Sequence, residues 1–308
     1  MPYLSKTFIV FLWIVATWAA PLDALATDRI VVDLLGRRVS ISKDPRRIVA
    51  MAPNINEIVF ALEQEQKLVG VTPYSDYPPA AKDIPRIGSY IHLDLERIVA
   101  LQPDLCLAIK DGNPKDTVMR LESLGIPVYA VDPRYLESVM ETLDRLGVLL
   151  HAEDKAGQVI AGMRNRIECV DAAVAHSLSR PRVFFQIGVA PIVSVGTGTF
   201  IHELIVRAGG KNVAEGPAAY PRFSREQVIG LSPDIIIITS MARAAVFEEV
   251  KADWRQWTHV PAVKTNRIFI QDSNLFDRPS PRLVDALEVL AKLIHPDLFQ
   301  AGMAKEAD

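Results

Sequence analysis

Two short motifs contain residues with catalytic potential, and neither motif is complete. The glycine-rich stretch Ser194–Phe200 (S-V-G-T-G-T-F) resembles the start of a dinucleotide-binding loop, but Ile201 stands where the third glycine belongs. The neighbouring pair His202-Glu203 begins like a zinc-protease helix, but Val206 occupies the place of the second histidine. We therefore interpret the glycine-rich stretch as a turn that leads into the N-terminus of a helix.

The other residues with catalytic or metal-binding chemistry are too scattered to form a site. The six histidines show no metal-ligand spacing, and the sequence contains no G-x-S-x-G elbow and no Walker loop. Cys106 in a predicted buried strand and Cys169 in a predicted long helix favour two separate thiols over a disulfide. The sequence thus predicts no catalytic residue, no metal site and no cofactor, so we expect a protein that is not an enzyme. An exported metal- or cofactor-dependent enzyme is the alternative from another functional class.

A second set of residues suits the recognition of a ligand. These residues lie in loops at the carboxyl ends of predicted strands, where open α/β sheets bind their ligands. Tyrosine rings offer a wide apolar surface with a polar tip, which favours a large, flat and partly polar ligand. The set consists of Pro53, Asn54, Tyr74, Asp76, Tyr77 and Tyr90 in the first half of the chain and Pro191–Val193, Tyr220, Phe276 and Arg278 in the second.

Two α/β units must position these loops, because β-rich and helical segments alternate in both halves of the chain. The first half is predicted to contain the hairpin Ile30–Ile41, the strands Arg47–Pro53, Leu68–Val71 and Val128–Val131, and the helices Asn56–Leu62, Pro114–Leu124 and Leu136–Leu150. The second half is predicted to contain the strands Val183–Ile187, Ile192–Val195 and Ile268–Ile270 and the helices Phe200–Ala208 and Pro281–Ile294.

One segment occurs in both halves. Leu95–Ala108 (L-E-R-I-V-A-L-Q-P-D-L-C-L-A) and Ser224–Thr239 (S-R-E-Q-V-I-G-L-S-P-D-I-I-I-I-T) share a glutamate, a leucine and a Pro-Asp pair at a constant offset of 130 positions. In each copy the glutamate begins a short helix, proline ends it and a buried strand follows. The repeat indicates two similar lobes that each present one glutamate, Glu96 or Glu226, at the same place, although helix–Pro-Asp–strand is also a common αβ connection.

The middle of the chain is predicted to form one long helix. From Ala152 to about Leu178 the apolar residues recur with the helical period, which gives a helix of roughly 40 Å. Such a helix between two lobes would act as a strut, whereas the alternative of a coiled coil is disfavoured by the short stripe. The expected fold is α/β, with two Rossmann-like lobes bridged by one long α-helix. The expected boundaries are 1–26 for a signal peptide, 27–150 and 181–308 for the lobes and 151–180 for the interlobe helix.

Length, charge and the first residues favour an exported protein with two cores. The chain has 308 residues, 49% of them hydrophobic, and its net charge of −3 with scattered basic residues argues against nucleic-acid binding. Lys6, the apolar run Phe8–Ala20 and the A-x-A sequence ending at Ala26 predict a signal peptide cleaved after Ala26. No cysteine lies near that site, so we expect a soluble protein without a lipid anchor.

Four motifs together resemble the periplasmic binding proteins of cobalamin and iron–siderophore ABC importers, in their long-helix type. They are Tyr74–Pro79 (Y-S-D-Y-P-P), Leu95–Asp104 (L-E-R-I-V-A-L-Q-P-D), Ser224–Val228 (S-R-E-Q-V) and Phe276–Arg282 (F-D-R-P-S-P-R), and the resemblance covers nearly all of the chain after the signal peptide. It implies a monomeric periplasmic protein that carries a corrinoid, cobalamin above all, to an ABC importer. Cobalamin would then be the transported ligand and not a cofactor.

The resemblance also implies a set of binding residues: Pro53, Asn54, Tyr74, Tyr90, Val193, Tyr220, Asn274, Phe276 and Arg278. Tyr90 and Tyr220 stand where the cobalamin-binding members have tryptophans. Three positions change character, with Ile109 in place of a tryptophan, Val193 in place of a phenylalanine and Asn274 in place of an aspartate. These changes leave less aromatic area and one charge fewer. Another corrinoid, a ferric siderophore, or haem with a tyrosine as iron ligand therefore stays open as the ligand.

In that family one carboxylate from each lobe pairs with arginines of the membrane permease. The matching positions are Glu96 and Glu226, and two equivalent contacts suit a two-fold permease dimer. A local role, in which each glutamate interacts favourably with the dipole of its own helix, is compatible with this assignment.

Overall fold

The computed structural model describes residues 28–239 and 244–303. The predicted signal peptide and its cleavage after Ala26 lie outside these residues, as do residues 304–308. In the described part of the chain, the helices are all too short or too polar to cross a membrane.

The first half of the chain folds around a parallel sheet. Its strands follow the spatial order Leu68–Val71, Ile48–Ala50, Leu105–Ile109 and Val128–Val131. The helices of this lobe are Pro53–Ala61, Leu95–Ala100, Lys115–Ser123 and Leu136–Leu150, and the strands Arg29–Val32 and Arg38–Ile41 form the predicted hairpin. A small hairpin joins Gly88–Ser89 to His92–Leu93, and single 3-10 turns cover Glu65–Lys67 and Pro79–Asp83.

The first helix begins three residues earlier than predicted. It runs from Pro53 to Ala61, with Pro53 at its first position. A proline at this position loses nothing, because the first N–H groups of a helix have no partner within the helix, and its fixed φ is already helical. This shift places Asn54 inside the helix at the carboxyl end of the strand Ile48–Ala50.

The second half folds around a mixed sheet. The strand order is Arg222–Phe223, Ile192–Ser194, Arg182–Gly188, Ile235–Ile238 and Ile268–Ile270, and Lys211–Asn212 also pairs with Arg182–Gly188. The helices are Phe200–Arg207, Arg225–Gly230, Ala244–Arg255, Pro261–Lys264, Ser273–Phe276, Leu283–Ile294 and Pro296–Met303. Strand Ile192–Ser194 is antiparallel to its neighbour, because three connecting residues are enough for a hairpin and too few for a crossover.

The helix Glu153–Ala175 bridges the two lobes, as predicted. Its 23 residues give a length of about 35 Å. The predicted helix was longer, because it was expected to continue to about Leu178. Its buried stripe (Ala156, Met163, Ile167, Val170 and Val174) packs against Leu136–Leu150 of the first lobe and Leu283–Ile294 of the second. The largest hydrophobic core therefore runs through both lobes and this helix. The fold is the expected one, two Rossmann-like α/β lobes bridged by one long helix.

The repeated segment has the same local structure in both lobes. The helices Leu95–Ala100 and Arg225–Gly230 each have six residues and an N-cap side chain that accepts a hydrogen bond from the backbone N–H of the third helical residue. Gln102 and Ser232 both take a left-handed conformation after the helix, with φ of 46° and 44°. The interpretation of the sequence repeat as a structural repeat is thus confirmed.

The two cysteines are separate thiols, as predicted. Cys106 is buried in the strand Leu105–Ile109 and Cys169 is exposed on the bridging helix. Burial raises the pKa of the Cys106 thiol to about 12, so this group is inert at neutral pH.

Candidate ligand-binding site

A cavity of about 500 Å³ lies between the two lobes. Its first-lobe wall consists of Pro53, Asn54, Tyr74, Tyr90, Ile109, Lys110, Asp111, Val131, Asp132, Pro133 and Arg134. Its second-lobe wall consists of Ile187, Gly198, Thr199, Phe200, Ile201, Ala219, Tyr220, Ser273, Asn274, Asp277, Arg278 and Pro279. The volume falls within the usual range of small-molecule sites.

The cavity brings together seven of the nine residues predicted to bind the ligand. They are Pro53, Asn54, Tyr74, Tyr90, Tyr220, Asn274 and Arg278. Tyr74 and Tyr90 meet edge to face, with 6.2 Å between their ring centroids. Tyr220 presents its ring from the opposite lobe and is 56% exposed. Aromatic surface from both lobes is therefore available to a ligand between them.

Val193 and Phe276 do not line the cavity. Phe276 is fully buried in the core, where its ring lies 5.6 Å from that of Phe185. Val193 sits in the strand Ile192–Ser194, next to Gly188 of the neighbouring strand, and Ile187 takes the position on the cavity wall instead. The sequence motifs predicted both residues to lie in loops beside the cavity. The alternation of side chains along the strand directs Val193 away from the cavity, and the packing of the core buries Phe276.

Two further loop residues, Asp76 and Tyr77, lie beside the cavity and support its wall. Asp76 Oδ1 accepts a hydrogen bond from Arg278 Nη1 at 2.7 Å. The Tyr77 ring lies under the guanidinium of Arg282, at 3.9 Å from the ring centroid. These residues hold the second lobe against the first.

Arg278 lines the cavity but is largely occupied by protein partners. It donates to Glu57 Oε1 at 3.0 Å, to Asp76 at 2.7 Å and to Asn274 Oδ1 at 2.6 Å. Its side chain is only 7% exposed. Arg278 is therefore a fixed part of the cavity wall, and carboxylates of the protein balance its charge.

A charged quartet on the first lobe was missed by the sequence reasoning. Lys110 Nζ lies 3.1 Å from Asp132, and Arg134 lies 2.9 Å from Asp132 and 3.0 Å from Asp111. These four residues directly follow the strands Leu105–Ile109 and Val128–Val131. The rule that ligands bind at the carboxyl ends of parallel strands would have identified them.

Asp277 adds a carboxyl group to the second-lobe wall. Burial raises its pKa from the ordinary value of 3.8 to about 7, against the opposing effects of Thr239 and Arg278. The hydroxyl of Thr239 donates to Asp277 Oδ1 at 3.5 Å. At neutral pH this group is close to the midpoint of its titration, so it can offer either a donor or an acceptor to a ligand.

The glycine-rich stretch forms the predicted turn and helix N-terminus. Gly198 has a φ of 88°, and the side chain of Thr199 caps the helix Phe200–Arg207 by accepting from the backbone N–H of His202. The turn lines the cavity through Gly198, Thr199 and Phe200. Within the described residues, no group of three or more His, Cys, Asp or Glu side chains is placed to hold a metal ion.

Glu96 and Glu226 lie outside the cavity. Each is exposed and occupies the second position of its six-residue helix. Hydrogen bonds from its own backbone N–H and from Ser224 lower the pKa of Glu226, so its carboxylate is ionised at neutral pH. Each lobe thus presents one such glutamate in an equivalent local setting.

Comparison with known proteins identifies relatives of the whole two-lobe unit. A family model described as periplasmic binding protein matches residues 48–275. The vitamin B12-binding protein of Salmonella typhimurium is 33% identical over 249 residues, which cover 80% of this chain and 90% of the relative. The crystal structure of the periplasmic vitamin B12 binding protein of Vibrio cholerae superposes with a TM-score of 0.71 at 28% identity, covering 81% of this chain and 96% of that one. A periplasmic heme binding protein from Pseudomonas aeruginosa superposes with a TM-score of 0.75 at 27% identity, covering 82% and 94%.

Proposed function

The chain belongs to the periplasmic binding protein family, and from this premise we propose that it captures a corrinoid, cobalamin above all, between its lobes and delivers it to an ABC importer. As a member of this family it is a binding protein and not an enzyme. Cobalamin would be the transported ligand. The relatives named for vitamin B12 support this ligand because they match about four fifths of the chain.

The observation that carries the proposal is the make-up of the cavity. Three tyrosines from both lobes, Tyr74, Tyr90 and Tyr220, provide aromatic surface for a macrocycle. The cations of the same walls, Lys110, Arg134 and Arg278, are paired with carboxylates of the protein. A corrinoid combines a large flat ring with many uncharged amides, and such a ligand requires donors and acceptors without a net charge in the wall.

The cations in the cavity wall are already paired with carboxylates, and this pairing favours a corrinoid over haem. Lys110, Arg134 and Arg278 each lie within 3.1 Å of a carboxylate of the protein. The two propionates of haem would have to break one of these ion pairs or stay without a cation, and burial of an unpaired charge is unfavourable. The primary amides of a corrinoid would meet the same ion pairs without this penalty.

Haem is the second candidate, supported by a specific observation. Tyrosine is a known axial ligand of haem iron, and three tyrosines line the cavity. The structural similarity to a heme binding protein supports the same candidate. A ferric siderophore belongs to the same class of alternatives.

Delivery would involve Glu96 and Glu226. We place the contact with the two-fold permease at these residues, because each lobe offers one exposed carboxylate on an equivalent helix. The protein would act as a periplasmic monomer after cleavage at Ala26, with lobes spanning 27–150 and 181–308 and the interlobe helix in 151–180.

Equilibrium binding tests the ligand. The mature protein from residue 27 onward is titrated by calorimetry with cyanocobalamin and, separately, with haemin, while visible spectra are recorded. One-to-one binding of cyanocobalamin with at least about 100-fold weaker binding of haemin supports the proposal. Haemin binding with an iron–tyrosinate spectrum and no heat with cyanocobalamin would refute it in favour of haem.

A further inference from the structure

Glu57 connects the two lobes at the edge of the cavity. It belongs to the first helix, and its carboxylate meets the second-lobe loop formed by residues 277–282. Oε1 accepts from Arg278 at 3.0 Å and lies 3.6 Å from Arg282 Nη1, and Oε2 accepts from Ser280 Oγ at 2.6 Å. The Glu57 side chain is only 2% exposed, so solvent does not compete for these contacts.

The same loop touches the first lobe at three more points. The carbonyl of Pro279 accepts from Asn54 Nδ2 at 3.4 Å, Asp76 pairs with Arg278, and Arg282 stacks on Tyr77. These contacts join residues more than 200 positions apart in the sequence. The bridging helix is the first connection between the lobes. These contacts form a second connection, next to the cavity.

The connection leads directly to the cavity wall. Arg278, fixed by Glu57 on one nitrogen, donates through the other to Asn274 Oδ1 at 2.6 Å. Asn274, Arg278 and Pro279 all line the cavity. Glu57 itself is absent from the lining, so an effect on the ligand has to pass through these partners.

We propose that Glu57 is a positioning residue of the binding site, which holds the loop 277–282 against the first lobe and so fixes Arg278 and Asn274 in the cavity wall before the ligand enters. The inference rests on the proposed function, in that it assumes a ligand in this cavity. The proposal adds that the cavity is preformed by a buried ion pair between the lobes. A preformed site binds more tightly because less ordering remains to be done on binding.

A double-mutant cycle tests this role through ligand affinity. Glu57→Gln keeps the shape of the side chain and removes its charge, and we expect it to weaken cyanocobalamin binding at least tenfold. Because Glu57 acts through Arg278, the pair Glu57→Gln with Arg278→Ala should bind within twofold of Arg278→Ala alone. The proposal would be overturned if the double variant lost affinity by the product of the two single losses. It would also be overturned if Glu57→Gln bound cyanocobalamin with native affinity. A role in folding alone would lower the unfolding temperature and leave this coupling absent.

A second variant keeps the test valid if Glu57→Gln folds poorly, and a matched control accompanies it. Ser280→Ala removes one hydrogen bond to the same carboxylate, and we expect a threefold or greater loss of affinity that again disappears in the Arg278→Ala background. Glu288→Gln is the matched control, since Glu288 pairs with Arg166 on the surface away from the cavity. It should leave affinity unchanged. A loss of affinity in the control equal to that in Ser280→Ala would overturn the assignment.

Hydrogen exchange in the ligand-free protein separates this inference from the identity of the ligand. We expect Glu57→Gln to raise amide exchange in residues 277–282 at least tenfold over the native protein, with no change in Glu288→Gln. If the native protein fails to bind cyanocobalamin but Glu57→Gln shows this increase in exchange, the proposed ligand is wrong and the positioning role stands. Unchanged exchange in Glu57→Gln would overturn the positioning role whatever the ligand is.

Discussion

Glu96 and Glu226 occupy the same position in two copies of one structural unit. They lie 130 positions apart, each is the second residue of a six-residue helix, and each is exposed. The hydrogen bonds that hold each copy to the neighbouring strand are repeated as well. Asp104 accepts from the backbone N–H of Arg47, and Asp234 accepts from that of Arg182. The two lobes therefore present their glutamates on equally anchored supports.

This equivalence predicts the effect of removing both carboxylates. Glu96→Ala with Glu226→Ala should lower uptake of cobalamin by roughly tenfold or more, because exposed ion pairs orient a partner and speed its association. Each single substitution should have a smaller effect. Affinity for the ligand should stay unchanged, since both residues lie outside the cavity. Uptake of labelled cobalamin and calorimetric binding measure the two quantities separately.

The control for this experiment uses two other exposed glutamates. Glu65 lies in the first lobe and Glu248 in the second, and both are exposed. The variant with alanine at both positions has the same change in net charge and should transport normally. Native uptake in the Glu96→Ala, Glu226→Ala variant, or an equal loss in the control, would exclude the docking role.

Tyr220 is expected to contribute binding energy through its ring. Tyr220→Ala should weaken cyanocobalamin binding by roughly 10- to 100-fold, as is typical of aromatic residues at the centre of an interface. Tyr220→Phe should bind within about threefold of the native protein, since the ring area is kept. Because Tyr220 is 56% exposed, the unfolding temperature should hardly change. Calorimetry and thermal unfolding of both variants provide the comparison, and native affinity in Tyr220→Ala would contradict the assignment.

Most of the fold was predictable because its signals are local. The helix Leu136–Leu150 and the strands Leu68–Val71 and Val128–Val131 have the predicted bounds, since periodic burial and flanking turn residues define them. The direction of Ile192–Ser194 was not predictable in this way. Strand pairing depends on the length and path of the connection, and the hydrophobic pattern of the strand itself does not contain that information.

The residues that line the candidate cavity were largely predictable from the sequence, and the contacts that these residues make were less so. The tyrosines Tyr74, Tyr90 and Tyr220 reach the cavity because loops at strand ends must do so in an open α/β sheet. The partners of Arg278 were hidden, because Glu57 lies 221 positions away in the sequence. Phe276 was misplaced because its burial depends on Phe185, a residue of a different strand.

Asp277 predicts a distinct pH dependence of stability. Its pKa is about 7 in the folded protein against an ordinary 3.8. Between pH 3.8 and about 7 the folded state therefore binds one proton more at this group than the unfolded state does. Stability should therefore fall as the pH rises from about 4 to 7, by at most about 4 kcal/mol. Asp277→Asn should remove this fall and be more stable than the native protein at pH 8, with similar stability at pH 4. Urea unfolding across this range tests the prediction, and parallel curves for both proteins would contradict it.

The two thiols should differ in reactivity. Cys169 is exposed on the bridging helix, whereas Cys106 is buried with a pKa raised to about 12. A thiol reagent such as Ellman's should titrate one group in the native protein and two after denaturation. Cys169→Ser should abolish the native reaction, and Cys106→Ala serves as the matched control that keeps it. Rapid labelling of two groups in the folded protein would show that the first-lobe sheet opens more easily than its packing indicates.

A crystal structure of the mature protein with cyanocobalamin tests the central claim most directly. We expect one corrin ring between the lobes, in contact with Tyr74 and Tyr90 on one side and Tyr220 on the other, with the Glu57–Arg278 ion pair intact. A corrinoid bound elsewhere on the surface, or a cavity in which Tyr74 and Tyr220 make no contact with it, would contradict the claim that the two lobes enclose the transported ligand.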